Sequence, residues 1–190
     1  QVSRTPLREA LRQLQQEGLV TADGSSGLRV TTLTPTEAIE LYDCRIALEG
    51  LAAAGACTHA TPEQLNQIET YVLEAEAAGQ QAPQSVTCQQ LLELDYQFHR
   101  LIAESSGNRR LVSLLDTLFN AMALLRIQTL KRNPKVLDIQ REHRQIYEAI
   151  VTRDPAVAQE AIRRHLLASK ARVVMEIEES LQGGAVLESR

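Results

Sequence analysis

Tryptophan is absent from this 190-residue chain, and aromatic residues of all kinds make up only 3% of it, although hydrophobic residues reach 44%. The core must therefore be aliphatic, built largely from leucine and alanine. That composition suits helix-on-helix packing and argues against a sheet sandwich, which draws on β-branched and aromatic residues. Cysteine is scarce as well. Cys44, Cys57 and Cys88 form no CxxC and no close pair, and an odd, scattered count fits a reducing cytoplasm. No uninterrupted apolar run approaches 18 residues and no signal peptide is evident, so no membrane partner is expected. The net charge of −4 does not suggest a protein that coats nucleic acid. Residues 1–32 depart from that average. Arg4, Arg8, Arg12 and Arg29 outweigh Glu9, Glu17 and Asp23 there for a net +1, leaving −5 for the remainder. The chain opens at Gln1 without Met and with a helical pattern already under way, so an N-terminal piece is expected to precede it.

Histidine is also rare, and its placement is the most informative feature of the chain. Of four histidines, three fall, with one aspartate, where a helical bundle would bring them together. Asp95 and His99 are four apart, one turn along the same helix face. His143 and His165 lie 11 residues before and after Asp154, in a helix stop and restart at Thr152-Arg153-Asp154-Pro155. In an antiparallel hairpin, equal distances from the turn place two residues at one height, each roughly 16 Å from it at 1.5 Å per residue. Turns at Ser105-Ser106-Gly107-Asn108 and Asn133-Pro134 fold the intervening chain and bring the two pairs to one level. Imidazole and carboxylate donors together suit a divalent transition metal, zinc or nickel first and then manganese, iron or cobalt. His59, at a helix end where a cation meets the C-terminal dipole, is left out of the site.

The pattern along the chain divides it in two. Residues 3–18 read as an amphipathic helix with the stripe Leu7, Ala10, Leu11, Leu14, a cap at Ser3 and Pro6 in the first turn. Two strand-like runs, Leu19–Ala22 and Leu28–Thr31, flank the turn signal Asp23-Gly24-Ser25-Ser26-Gly27. A helix followed directly by a small hairpin is the second half of a winged helix-turn-helix. Residues 33–182 carry no strand signal and read as an all-α antiparallel bundle of six or seven helices. The helices are expected over 35–56, 62–79, up to Gly107, 109–131, 135–152 and 155–181, with a disordered tail at 183–190.

The string Val2-Ser3-Arg4-Thr5-Pro6-Leu7-Arg8-Glu9-Ala10-Leu11-Arg12-Gln13-Leu14, followed by Glu17-Gly18-Leu19-Val20, closely resembles the recognition helix of GntR-family transcription regulators. Such a helix enters the major groove with its N-terminal residues at the base edges, where Arg reads guanine and hydroxyls reach bases or phosphates. The resemblance implies that Ser3, Arg4, Thr5 and Arg8 face double-stranded operator DNA, with Ser25-Ser26-Gly27 as the wing tip. From about residue 35 to 180 the chain resembles the FadR C-terminal (FCD) ligand-binding domain. Leu41–Glu49, Leu94–Ile102 with Ser106-Gly107-Asn108, Glu142–Ile146 and Ala161–Leu166 carry that likeness. In the metal-binding branch of that family an Asp and three His hold a divalent ion, and Asp95, His99, His143 and His165 fill all four positions.

The resemblance also implies a small carboxylic acid effector at open metal positions. Arg45 matches the first-helix arginine that would fork its oxygens; a salt bridge to Glu49, one turn on, is the other role open to it. In Phe119-Asn120-Ala121-Met122-Ala123-Leu124-Leu125-Arg126, Asn120 is the expected effector contact, while the alanines and Met122 disfavour a highly charged sugar acid. The implied function is a metabolite-responsive, cytoplasmic, homodimeric regulator in which the helix at 35–56 carries the signal to the DNA-binding halves. Two alternatives stand beside it. One is a metalloenzyme using the 3-His-1-Asp centre, disfavoured by the lack of HExxH, of a di-iron ExxH pair and of an extra general base. The other is a helical interaction domain with a structural metal.

Overall fold

The computed structural model describes residues 4–16, 19–24, 27–31, 34–80, 87–133 and 139–187. The first helix, α1 (Arg4–Gln16), leads into an antiparallel hairpin of β1 (Val20–Ala22) and β2 (Leu28–Val30), with Val20 opposite Val30 and Ala22 opposite Leu28. Gly24 and Gly27 hold positive φ at the turn, as the DG-type signal demands. Leu7 is exposed and Leu11 and Leu14 are half-buried, so the described residues cover the α1 stripe only in part.

Six helices follow: α2 (Pro35–His59), α3 (Pro62–Gln80), α4 (Cys88–Ser105), α5 (Arg109–Arg132), α6 (Gln140–Val151) and α7 (Pro155–Leu187). Their starts are written in the sequence. Thr34 and Glu37 form a reciprocal capping box at α2, Thr87 and Gln90 another at α4, and Asn108 caps α5. The α2–α7 pair is the most extensive, and α4 packs between α2, α3 and α5. The last turns of α2 bury small side chains (Ala52, Ala53, Ala56), so the neighbouring helices approach closely there, while Tyr42, Arg45 and Glu49 fill its middle. Gly55 marks the tightest place, where a Cβ would lie 2.8 Å from the Ser106 side chain in the α4–α5 turn. The core is otherwise Ile, Leu and a few large rings: Ile68, Phe98, Ile102, Leu115, Ile146, Ile150, Ile162 and Leu166.

Length and composition alone would let α5 cross a membrane (mean hydropathy 1.3), which a search for uninterrupted apolar runs does not reveal. Its apolar side chains instead build the bundle, with Leu111, Leu115, Leu118, Met122, Leu125 and Leu130 buried.

Some boundaries differ from expectation. Helix α2 runs past 56 to His59, and of the fifth expected helix the structure describes Gln140–Val151 with Ile139 as its N-cap; the expected start at 135 lies outside the described residues. The last helix passes Leu181 and continues through Gly183 and Gly184 to Leu187. Glycine costs a helix only about 1 kcal/mol relative to alanine and, unlike proline, blocks no hydrogen bond. The turn that joins α6 to α7 is where the sequence puts it. Arg153 adopts φ 59°, and its guanidinium donates to the Cys57 and Ala60 carbonyls at 3.1 and 2.9 Å, satisfying the C-terminal end of α2.

Candidate metal and effector site

Asp95 and His99 on α4, His143 on α6 and His165 on α7 converge in the middle of the bundle. All four are buried, and one donor atom from each lies within 4.8 Å of all the others. The spacing argument accounts for this: α4 contributes two residues one turn apart, and the α6–α7 hairpin brings His143 and His165 to one height, their rings 4.9 Å apart. The His99 and His165 Nε2 atoms face each other at 3.3 Å. Asp95 Oδ1 lies 3.7 Å from His99 Nε2 and 3.4 Å from His143 Nε2.

The outer nitrogens decide what this arrangement can bind. His99 Nδ1 is 2.5 Å from Glu49 Oε2, and His165 Nδ1 is 2.7 Å from Glu142 Oε2. A carboxylate accepts only, so each Nδ1 carries a proton, and in the neutral ring each Nε2 turns a lone pair inward. Two such lone pairs 3.3 Å apart, beside a carboxylate oxygen, repel one another unless a proton or a metal cation lies between them. His143 Nε2 is buried and, despite its 3.4 Å approach to Asp95, makes no hydrogen bond of acceptable geometry. A tautomer-fixing carboxylate behind a histidine is the arrangement seen around metal-ligating imidazoles. The residues present therefore fit a divalent transition metal.

The charges agree. Burial would raise the Asp95 carboxyl, but Arg126 and then His99 outweigh it and hold it well below the usual carboxylate range. Burial lowers His143, and pushes His165 down to about 3 despite the Glu142 hydrogen bond, so both favour the neutral form that ligates. Burial would also lower His99, but Glu49 overcomes it and raises the imidazole above its ordinary value. Burial would raise Glu142, but hydrogen bonds from His165 and Arg172 pull it down to about 2. Glu142→Gln keeps the shape and removes the charge behind His165; metal affinity is expected to fall by roughly 10- to 100-fold, read by competition with a chromophoric chelator.

Arg45, on α2, makes one of the two contacts open to it. Its Nε pairs with Glu49, so the salt bridge is present, while its Nη2 is buried without a partner. The side chain borders a cavity of about 20 Å³ next to the cluster, shared with Tyr42, Asp95, Arg126, Thr129 and Ser169. Arg126, which donates to Asp95 Oδ2, joins the site although no spacing in the sequence marks it. Asn120 is not brought to the cluster. It is exposed and lines an outer groove of about 280 Å³ between α4 and α5, away from the cluster. Each residue advances a helix by about 100°, so Arg126 shares the inward phase of Phe119 and Met122 while Asn120 points away. Leu92 and Arg126 line both the inner cavity and this groove, and so separate them.

Of the expected DNA contacts, Thr5 and Arg8 are exposed on α1 and Arg4 is its first residue; Ser3 lies outside the described residues, as do Ser25 and Ser26 of the wing tip. A surface hollow of about 720 Å³ lies elsewhere, between the end of α2 and the start of α5, where His59, Arg109 and Arg110 are exposed side chains.

Comparison with known proteins gives this arrangement its class: a bacterial transcriptional regulator, not an enzyme. Residues 40–168 match the FCD domain family, and residues 1–30 match the bacterial regulatory proteins of the gntR family. The chain belongs to the GntR family, in the branch that carries an FCD domain. It is 34% identical over 167 residues to the uncharacterized HTH-type transcriptional regulator YdhC of Bacillus subtilis, covering 88% of this chain and 71% of that protein. It is 30% identical over 183 residues to the Glc operon transcriptional activator of Escherichia coli, covering 86% and 72%. Among solved structures, E. coli McbR/YncC shares the fold with a TM-score of 0.79 at 17% identity, over 93% of this chain and 87% of that one. The metal-free FCD domain of TM0439 matches with a TM-score of 0.63 at 21% identity, over 78% and 99%.

Proposed function

We propose that this regulator senses a small carboxylic acid through a metal held by Asp95, His99, His143 and His165, and that the acid alters its binding to operator DNA. When bound, the metal supplies a Lewis-acidic centre for a carboxylate oxygen. The observation that carries the effector reading is Arg45 Nη2, a buried, unpartnered cationic donor beside the cluster. A buried donor left unsatisfied costs about 1–3 kcal/mol, and an acid oxygen would satisfy it while sharing the guanidinium with Glu49. The inner cavity holds little more than a water, so an acid must displace side chains to enter. Leu92 and Arg126, between cavity and groove, are the ones in its path. The protein acts as a homodimer in the bacterial cytoplasm, with two copies of α1 reading a palindromic operator about one DNA turn apart.

The test is a thermal-shift screen of small mono-, di- and hydroxycarboxylic acids against protein stripped with chelator and protein reloaded with Zn²⁺ or Ni²⁺. An acid at about 100 times its Kd is expected to raise Tm by roughly 5–10 °C in the loaded protein only, and Arg45→Met is expected to abolish the shift. Equal shifts in stripped and loaded protein rule out the shared metal–acid site. Metal that stabilises the bundle while no acid adds to it points to the structural-metal reading.

A further inference from the structure

Thr31, the residue after β2, is held from two sides. Its backbone N–H donates to the Leu19 carbonyl at 3.0 Å, extending the hairpin, and its carbonyl accepts from the Gln128 side-chain amide on α5 at 3.1 Å. The Leu19 N–H in turn donates to the Leu14 carbonyl in the last turn of α1 at 2.9 Å. The Thr31 hydroxyl is buried as well. A hydrogen-bonded path thus runs from α1 through the hairpin to α5.

On α5 this path arrives next to the buried site. Gln128 stands two residues from Arg126, which donates to Asp95, and beside Thr129, which borders the inner cavity. Asp95 is shared: Oδ1 faces the histidines and Oδ2 holds Arg126. Positive charge gathered on the Oδ1 side weakens the hold of the same carboxylate on Arg126. A helix is stiff over one turn, so a shift at Arg126 is also a shift at Gln128.

We propose that the last turns of α5, from Arg126 to Thr129, carry the state of the buried pocket to the DNA-binding module, with Gln128 as the positioning residue that clamps Thr31. This rests on the metal-and-acid reading of the pocket. It assigns to α5 the transmitting role that the sequence suggests for α2.

Hydrogen–deuterium exchange of the whole chain tests it in two arms. In chelator-stripped protein, Gln128→Ala and Arg126→Ala are each expected to speed exchange across residues 19–31 about fivefold, the equivalent of one net hydrogen bond. Unchanged exchange there in both variants overturns the proposal, whatever the pocket binds. With Zn²⁺ added to the unaltered chain, exchange is expected to slow around residues 95–99, 143 and 165 and to change at 19–31. In Gln128→Ala the slowing in the bundle is expected to persist and the change at 19–31 to vanish. A change at 19–31 that survives Gln128→Ala overturns the clamp. Absence of any slowing in the bundle removes the metal reading, and the stripped-protein arm then decides the α5 path alone.

Discussion

Alanine at both His143 and His165 is expected to leave the purified protein without bound metal. The pair supplies two of the four donors, and the two come from different helices, so no neighbouring side chain can stand in. The loss should exceed the roughly 10- to 100-fold typical of removing an outer carboxylate partner. Elemental analysis after dialysis reads it directly, and circular dichroism shows whether the bundle persists. Metal content equal to that of the unaltered chain would remove the quartet from consideration.

The second large effect lies one residue from His99. Phe98 is 1% exposed, and its ring stacks on His143 with centroids 4.1 Å apart and planes 14° apart. Phe98→Ala removes a core ring and the surface that holds the imidazole flat, and is expected to cost about 3–5 kcal/mol in urea unfolding. Phe98→Leu refills much of the volume without the stack. It is expected to recover most of the stability while metal binding stays weakened, because His143 can then tilt. If Phe98→Leu binds metal as tightly as the unaltered chain, the ring is core packing alone and does not position His143.

The quartet and the helix order were legible because they depend on periodicity. Asp95 and His99 follow from one helical turn, and His143 and His165 from equal distances to Asp154. The capping boxes at Thr34 and Thr87 mark helix starts for the same local reason. What the sequence withheld depends on partnership between helices. Glu49 behind His99 is 50 residues away, and Arg126 is 31 residues from Asp95; no local spacing announces either. The polarity of Asn120 suggests a pocket contact, whereas its helical phase turns it to the outer groove. Phe119, Met122 and Leu125 already mark the inward face of α5, and Asn120 falls off it while Arg126 lies at its edge. The glycines at 183 and 184 suggest an end near Leu181, but glycine weakens a helix without stopping it, and α7 runs to Leu187.

Arg153 bears on evolution as well as on folding. Because its left-handed backbone and its guanidinium tie the α6–α7 turn to the end of α2, that turn has a fixed length. One residue inserted between Thr152 and Pro155 would rotate α7 by about 100° and slide it by about 1.5 Å, turning His165 out of the bundle. Tolerance to insertion among relatives should therefore be lowest at this exposed corner, where surface position alone would predict it to be high.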